Sequence, residues 1–194
     1  MSYVSISGNI ASGKSTLLDA LMDEGYSTVP EDLGDDFLDL LDSYNKDPST
    51  AIDLQNYIND YRWADAQHSY KASFTYVHER CIADDIVFTS VMAARGEISQ
   101  QDADVFMDKA LSRLAENPPR KIIYLYCHPE IGFERMRNRG RAEETGQNLL
   151  RIAELEEAHL RLLPLIADQL NIGYVEMDWT NYGSVIEIIK ELGK

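Results

Sequence analysis

Cysteine is scarce in this 194-residue chain, and long hydrophobic runs are missing. Cys81 and Cys127 form neither a CxxC motif nor a zinc-ligand spacing, so we expect two reduced thiols in an intracellular protein. The four histidines show no ligand spacing either, which argues against a transition-metal site. No apolar segment approaches the roughly 20 residues that cross a bilayer, and no signal-peptide pattern is recognisable. The sequence therefore predicts a cytoplasmic protein with no membrane partner.

Positive charge is scarce as well. The chain has 18 Lys and Arg residues against 33 Asp and Glu residues, for a net charge of -15. Such a protein repels a nucleic-acid backbone, so we expect no nucleic-acid partner. Four of the 18 basic residues nevertheless lie within seven positions, namely Arg135, Arg137, Arg139 and Arg141. This local concentration of charge can still bind a small anion such as ATP.

Segments rich in β-forming residues alternate with segments that have helical apolar spacing. Such alternation predicts parallel βαβ units with right-handed crossovers and helices on both faces of one sheet. The stretches 33–71 and 84–116 contain no strand-like segment, and no interdomain linker is visible, so residues 1–194 are expected to form one domain. The five predicted strands are Tyr3–Ser7, Tyr26–Glu31, Phe74–Glu79, Lys121–Cys127 and Ile172–Met177.

A phosphate-binding pattern, G-x-x-x-x-G-K-[ST], lies between the first predicted strand and the following helix. Glycine lets the backbone N–H groups converge on phosphate oxygens, and the helix N-terminus adds its dipole. Lys14 is expected to reach the β- and γ-phosphates of ATP, and the Ser15 hydroxyl to bind Mg²⁺. The expected ATP-binding segment is Gly8, Asn9, Ile10, Ala11, Ser12, Gly13, Lys14, Ser15 and Thr16.

A P-loop alone does not distinguish kinases from switches and motors. The guanine-reading N-K-x-D motif of GTPases is absent, because Asn45-Lys46-Asp47 lacks the spacer residue. The arginine-rich run is predicted on the helix after the fourth strand, where a mobile lid could close over the transferring phosphates. In that lid Arg135 and Arg139 are expected to bind ATP, and Arg139 and Arg141 to assist catalysis. This combination favours a kinase.

Three segments together resemble the deoxynucleoside kinase family of deoxycytidine, deoxyguanosine and deoxyadenosine kinases. They are Gly8–Ser15, Glu79-Arg80 and Arg139-Gly140-Arg141-Ala142-Glu143-Glu144. The resemblance implies an α/β P-loop kinase fold with a five-stranded parallel sheet, helices on both faces and an Arg-rich lid. It also implies ATP with Mg²⁺ as donor, the 5′-hydroxyl of a deoxynucleoside as acceptor, and a homodimer packed through helices.

The resemblance also assigns roles to residues around the reacting groups. Glu31 matches the general base that accepts the proton of the 5′-hydroxyl, and Arg80 matches an arginine that contacts the 5′-oxygen. Glu79 matches an acidic residue near the metal. Tyr44 and Glu144 match the pair that holds the 3′-hydroxyl of the sugar.

The base-reading residues are implied by spacing within the family pattern. Gln55 and Arg62 match its base-reading glutamine and arginine, and Phe88 matches an aromatic residue that stacks on the base. One residue is missing between Arg80 and Phe88, so the base-reading aspartate is either Asp84 or Asp85. We favour Asp84, because positions 84 and 88 share one helix face.

An arginine and an aspartate at these positions match family members that use deoxycytidine or purine deoxynucleosides rather than thymidine. The main enzymatic alternative is a nucleoside monophosphate kinase, which would have to place a second phosphate beside Arg80 and near the negative Glu31. A nucleotide-dependent binding switch is the alternative from another class. It is disfavoured by the joint presence of Lys14, Glu31 and Arg80.

Overall fold

A five-stranded parallel sheet forms the centre of the molecule, with the strand order β2-β3-β1-β4-β5. The computed structural model describes residues 3–141 and 146–193. The five predicted strands and their parallel direction are confirmed, because every observed strand overlaps its predicted segment. The strands are β1 (Val4–Ser7), β2 (Ser27–Val29), β3 (Tyr76–Glu79), β4 (Lys121–Tyr126) and β5 (Gly173–Asp178).

Eight α-helices connect and cover these strands in the described part of the chain. The segments predicted to lack strands, 33–71 and 84–116, are helical apart from short turns and one 3₁₀ turn at Pro48–Thr50. The helices are α1 (Lys14–Asp23), α2 (Gly34–Lys46), α3 (Ala51–Tyr70), α4 (Ile82–Ala94), α5 (Gln100–Glu116), α6 (Pro129–Arg139), α7 (Leu149–Gln169) and α8 (Val185–Gly193). None of those in residues 3–141 and 146–193 is long and apolar enough to span a bilayer.

Both faces of the sheet are buried, which explains the nearly continuous apolar strands. Along β4, Ile122 and Tyr124 pack toward α4, α5 and α7, whereas Ile123 and Leu125 pack toward α1 and α8. Successive side chains of a strand point to opposite faces, so one strand contributes to two separate cores. A third apolar cluster, which includes Tyr44, holds α2 and α3 against α4 and α5.

The edge strand β2 is shorter than its predicted segment Tyr26–Glu31. It pairs with β3 only over Ser27–Val29, and Pro30 follows. Proline has no backbone N–H and cannot continue the hydrogen-bonding ladder. Glu31 therefore lies two residues beyond β2 and not at its end, where the sequence placed it.

The carboxyl ends of β1, β2 and β3 lie at one edge of the sheet, the usual place for ligands in open α/β folds. Gly8, Glu31 and Arg80 each follow one of these strands. The backbone of Arg80 has a positive φ of 65°, which is uncommon outside glycine, while its N–H donates to Ile6 O at 2.9 Å. Strained residues of this kind concentrate at functional sites, so this edge of the sheet is the candidate functional site.

The α7 core residue Leu155 offers a test of this packing. It is fully buried in the α4–α5–α7 core, so Leu155→Ala should lower the free energy of unfolding by about 2–5 kcal/mol. Leu165 lies on the same helix but is 62% exposed, and Leu165→Ala should change it by less than about 0.5 kcal/mol. Chemical denaturation of both variants measures the difference. Equal losses would contradict this assignment of the core.

Candidate active site

The phosphate-binding segment joins β1 to α1, as the sequence predicts. Gly13 adopts the left-handed conformation with φ 103° and caps the N-terminus of α1. A Cβ at this position would lie 2.7 Å from the ring of Tyr182, so the site requires glycine. The hydroxyl of Ser12 is buried and has no hydrogen-bond partner among the described residues. An orphaned hydroxyl beside a helix N-terminus fits a segment built to bind phosphate oxygens.

Lys14 is buried within the phosphate-binding segment. Its Nζ donates to Asn9 O at 2.8 Å and lies 4.0 Å from Glu79 Oε1. Burial and the neighbouring charge of Arg80 lower the pKa of Lys14 to about 8, against the opposite effect of Glu79. The ammonium is thus held in place and remains mostly protonated at neutral pH.

A buried polar network anchors the segment to α7. Asn9 Nδ2 donates to Ile152 O at 2.8 Å and to Glu156 Oε2 at 3.0 Å, and Asn9 Oδ1 accepts from Ile10 N at 2.8 Å. Glu156 also accepts from the hydroxyl of Tyr124 on β4 at 2.6 Å. Because the Asn9 carbonyl also accepts a hydrogen bond from Lys14 Nζ, the network helps to fix the position of the Lys14 ammonium.

Ser15 and Glu79 lie together where a metal ion would be expected. Ser15 Oγ donates to Glu79 Oε2 at 3.1 Å, and the side chains of Ser15 and Thr16 face the cleft. A hydroxyl and a carboxylate are hard oxygen ligands that suit Mg²⁺, which takes its remaining ligands from phosphate and water. The donor set therefore fits the ion that the sequence predicts.

An ion-pair cluster connects the ends of β2 and β3 with α3 and α4. Arg80 Nη1 lies 2.5 Å from Glu31 Oε2, and Arg62 bridges the Glu31 and Asp85 carboxylates with its two terminal nitrogens. Asn59 Nδ2 adds a hydrogen bond of 2.9 Å to Asp85. Burial opposes ionisation of Glu31, but Arg80 and Arg62 outweigh it and lower its pKa to about 2. Burial likewise opposes protonation of Arg62, but Asp85 and Glu31 outweigh it and raise its pKa.

The predicted pairing of Arg62 with Asp84 is wrong, because the ion pair of Arg62 is with Asp85. Asp84 Oδ2 accepts from Cys81 N at 3.0 Å and from Ser7 Oγ at 2.8 Å, so this side chain caps α4 and points into the core. Burial opposes its ionisation, yet the neighbouring His159, whose Nε2 lies 3.6 Å from Asp84 Oδ1, and the charges of Arg62 and Arg80 lower the pKa of Asp84 to about 2. Positions i and i+3 also share a helix face, which is how Asp85 comes to lie beside Phe88.

A cleft of about 1010 Å³ runs from the phosphate-binding segment to this cluster. Gln55 is buried in its wall, where Oε1 accepts from Thr89 Oγ1 at 3.3 Å. The Arg80 guanidinium lies 5.3 Å from the centre of the Phe88 ring. The Phe88 side chain gives the cleft an apolar surface beside these charged groups. The structure brings together in this cleft most of the residues predicted to bind the acceptor: Glu31, Tyr44, Gln55, Arg62, Arg80, Asp85 and Phe88.

Arginines from α6 line the opposite end of the cleft. Arg135 lies 4.0 Å over the Tyr182 ring and donates to Thr180 O at 2.5 Å, so it is tied to the segment after β5. Arg139 ends α6, and Arg141 lies beyond the left-handed Gly140, outside the helix on which it was predicted. Both line the cleft. Glu144, predicted to hold the sugar, lies outside the described residues.

Sequence reasoning missed two residues that line or support this cleft. Arg151 is buried in the first turn of α7 and lines the cleft, and Glu97 in the turn between α4 and α5 accepts a hydrogen bond from it at 2.6 Å. No local pattern marks either residue. They meet Tyr44 only because the α4–α5 turn, α7 and α2 are packed together.

Comparisons with known proteins agree with this geometry. The family model described as deoxynucleoside kinase matches residues 4–183. A probable deoxycytidine kinase of fowlpox virus is 32% identical over 171 residues, covering 82% of this chain and 71% of the viral protein. A deoxyadenosine kinase of Dictyostelium discoideum is 27% identical over 184 residues, covering 93% of this chain and 73% of the relative.

Solved structures show the same fold. The structure of deoxyadenosine kinase from M. mycoides with bound dATP superposes with a TM-score of 0.83 at 18% identity, covering 100% of both chains. Its counterpart with bound dCTP has a TM-score of 0.81 and covers 98% of both chains. Because the family model spans nearly the whole sequence and the viral relative exceeds 30% identity, this chain belongs to the deoxynucleoside kinase family, whose members are ATP-dependent phosphotransferases.

Proposed function

We propose that this kinase transfers the γ-phosphoryl group of ATP to the 5′-hydroxyl of a deoxynucleoside, with Glu31 as general base. The observation that carries the proposal is the position of the Glu31 carboxylate. It is fixed by Arg62 and Arg80 in the cleft that also contains the phosphate-binding Lys14. An acceptor hydroxyl bound here would have a carboxylate on one side and the γ-phosphate on the other.

The chemistry requires little basicity from Glu31. In the loose transition state of phosphoryl transfer the hydroxyl proton leaves late, so an ionised carboxylate that orients the hydroxyl is sufficient. Glu31 accepts this proton while the bond from O5′ to phosphorus forms and the bond from phosphorus to ADP breaks. Arg80, held beside Glu31, can donate hydrogen bonds to the transferring group.

The donor end of the cleft supports ATP as the phosphate source. Residues 8–16 would surround its phosphates, with the Lys14 ammonium on the β- and γ-phosphates. Ser15 and Glu79 would hold Mg²⁺, which neutralises the phosphate charge when it is bound. Arg135, Arg139 and Arg141 would then act as the lid that stabilises the charge on the transferring group.

The acceptor end supports recognition of a deoxycytidine or purine deoxynucleoside. Arg62 and Asp85 offer donor and acceptor groups that match the edges of guanine, cytosine or adenine, with Gln55 and Phe88 as further contacts. Tyr44, together with Glu144 outside the described residues, would hold the sugar. The names of the relatives, deoxycytidine and deoxyadenosine kinases, agree with this preference.

A nucleoside monophosphate kinase is less consistent with the site. Its acceptor carries a phosphate that would lie beside the ionised Glu31, and two neighbouring negative charges repel each other.

We further propose that residues 1–194 act as one cytoplasmic kinase domain and assemble as a homodimer through helices, as the family resemblance implies.

Glu31 provides the first test. Glu31→Gln keeps the size of the side chain but cannot accept the proton, so kcat with a deoxynucleoside should fall by roughly 10²–10⁴-fold with little change in its KM. Asp36→Asn in α2, an exposed acid outside the cleft, should leave both constants unchanged. The assay is ADP release with deoxynucleosides and with their monophosphates. Faster release with monophosphates would refute the proposed acceptor, and a loss confined to KM would make Glu31 a binding residue.

The lowered pKa of Lys14 predicts that the use of ATP depends on pH. Its pKa is lowered to about 8, so the ammonium is present below this pH and is lost above it. We expect kcat/KM for ATP to fall above pH 8 by up to about tenfold per pH unit, because this constant reports ionisations of the free enzyme. In Lys14→Arg the decline should disappear, since a guanidinium stays protonated. A wild-type profile that stays flat to high pH would contradict the role of Lys14.

Base preference is the third test. Among the four deoxynucleosides thymidine should be the poorest substrate, because thymine O4 would face the Asp85 carboxylate with no proton between the two acceptors, at a cost of about 1–3 kcal/mol, or about 5- to 150-fold in kcat/KM. Arg62→Met combined with Asp85→Ala should narrow this gap. Asp84→Asn, which keeps the cap of α4, should preserve it. Thymidine as the best wild-type substrate would refute the assignment of Arg62 and Asp85 but not the kinase.

A further inference from the structure

Asn59 on α3 connects the acceptor end of the cleft to α5. Its amide nitrogen Nδ2 donates to Asp85 Oδ2 at 2.9 Å, and its amide oxygen Oδ1 accepts from Arg113 Nη1 at 2.6 Å. Asn59 and Asp85 are both fully buried, and of the two only Asp85 lines the cleft. Asn59 can therefore affect a bound ligand only through Asp85.

The two partners of Asn59 fix the same orientation of its amide group. A guanidinium has only donors, so the amide oxygen must face Arg113, and an ionised carboxylate has only acceptors, so the amide nitrogen must face Asp85. Arg113 is itself held by a bond of 2.5 Å to Asp60 Oδ1 and lies 4.5 Å from the centre of the Trp63 ring. Turning the amide over would bring donor to donor and acceptor to acceptor, which is costly in a buried site.

Asn59 and Arg62 together hold both oxygens of the Asp85 carboxylate. Arg62 Nη1 pairs with Oδ1, while Asn59 Nδ2 donates to Oδ2. The terminal torsion of an aspartate has a broad, roughly two-fold preference, so a single partner would leave the carboxylate free to turn. With both oxygens bonded, the remaining lone pairs of Asp85 keep fixed directions, and these are what the carboxylate can offer to a ligand.

The same bonds affect the protonation of Asp85. Burial raises its pKa to about 6, against the opposite effects of the Arg62 charge and the hydrogen bond from Asn59. An ionised carboxylate only accepts hydrogen bonds, whereas a protonated one carries an O–H donor. Loss of the Asn59 donor therefore shifts Asp85 from an acceptor toward a donor. Charged or titratable neighbours of Asp85 in the described residues are Tyr3 before β1, Glu31 after β2, Arg62 on α3, Asp84 on α4 and, through Asn59, Arg113 on α5.

We propose that Asn59 is a positioning residue that holds Asp85 as an obligate hydrogen-bond acceptor, and that Arg113 fixes the Asn59 amide in the orientation that this requires. The proposal rests on the proposed function, in which Asp85 reads the base of a deoxynucleoside. The base group that fits is an exocyclic amino group, such as N4 of cytosine or N6 of adenine, because it donates to a carboxylate. Thymine O4 has no proton to donate. Asn59 and Arg113 thus influence base preference without contacting the base.

The chain offers a matched control for each of the two residues. Asn56 lies one turn before Asn59 on α3, and its amide oxygen accepts from Lys109 Nζ on α5 at 2.9 Å, much as Asn59 accepts from Arg113. Asn56→Asp introduces the same charge on the same helix as Asn59→Asp, but it changes no bond to Asp85. Lys109→Met removes a cation from α5, as Arg113→Met does, but it leaves the bond between Arg113 and Asn59 intact.

The experiment measures kcat/KM for deoxycytidine, deoxyadenosine and thymidine from about pH 5 to about pH 9. Asn59→Asp keeps the oxygen that Arg113 bonds and replaces only the donor to Asp85. At neutral pH the kcat/KM of deoxycytidine and of deoxyadenosine relative to thymidine should therefore fall by about tenfold or more. The acid limb of the deoxycytidine profile should also move to higher pH, because a lost donor and an added negative charge both raise the pKa of Asp85.

Arg113 should have a smaller effect, because it acts one bond further from the base. Arg113→Met frees the Asn59 amide to turn over and should lower the same ratios by about threefold or more. Arg113→Lys, which keeps a cationic donor, should recover part of this loss. Asn56→Asp and Lys109→Met should leave both the ratios and the acid limb at their wild-type values.

An effect that passes through Asp85 must disappear when Asp85 is absent. In an Asp85→Ala background, Asn59→Asp should change the ratios by less than about twofold. Parallel losses for all three deoxynucleosides, or an undiminished change of the ratios in this background, would overturn the proposal. If thermal midpoints show that Asn59→Asp is unfolded, Arg113→Met provides the same test, and unchanged ratios in that variant would refute the proposal.

Failure of this inference can be distinguished from failure of the proposed function. If Arg62→Met combined with Asp85→Ala narrows the gap to thymidine while Asn59→Asp and Arg113→Met leave it unchanged, the positioning role is refuted and the proposed function stands. A wild-type enzyme that phosphorylates no deoxynucleoside would refute the proposed function and this inference together.

Discussion

The bridge from Arg62 and Arg80 to Glu31 is the interaction on which the site depends. It joins the end of the short edge strand β2 to α3 and to the residue after β3, and so fixes the floor of the cleft. A largely buried carboxylate would be costly alone, and the guanidiniums of Arg62 and Arg80 would repel each other without the carboxylate between them. Each member is stable in place only because the others are present. Substitution of one member therefore destabilises the others, and the intact arrangement keeps Glu31 ionised in the cleft.

The overall acidity of the chain makes this local arrangement more effective. Seven of the 18 basic residues line the cleft: Lys14, Arg62, Arg80, Arg135, Arg139, Arg141 and Arg151. A polyphosphate approaching the protein thus meets repulsion over most of the surface and attraction at one place. The same distribution favours binding of a small anion such as ATP in the cleft.

The phosphate-binding segment shows how the core and the chemistry are connected. Asn9 is held by Glu156 on α7, and Glu156 is held by Tyr124 on β4, so the central sheet and the longest described helix both fix the backbone that binds Lys14. The polar groups of this network satisfy one another away from water, which makes the arrangement specific as well as stable. The acceptor wall is built in the same way, with Glu97 behind Tyr44 and Arg151.

Local sequence determined a large part of this protein. Segments rich in β-forming residues marked five strands, the glycine-rich segment marked the turn between β1 and α1, and ordered motifs pointed to the family, because each of these signals lies in a few neighbouring residues. Tertiary structure alone decided the rest. Asp84 and Asp85 are adjacent acids, and the local sequence does not show which of them pairs with Arg62. Only the packing of α4 against β1 and α3 turns Asp84 into the core and Asp85 toward Arg62. Glu97 and Arg151 come together with Tyr44 only where distant elements meet, and no local pattern records such a contact.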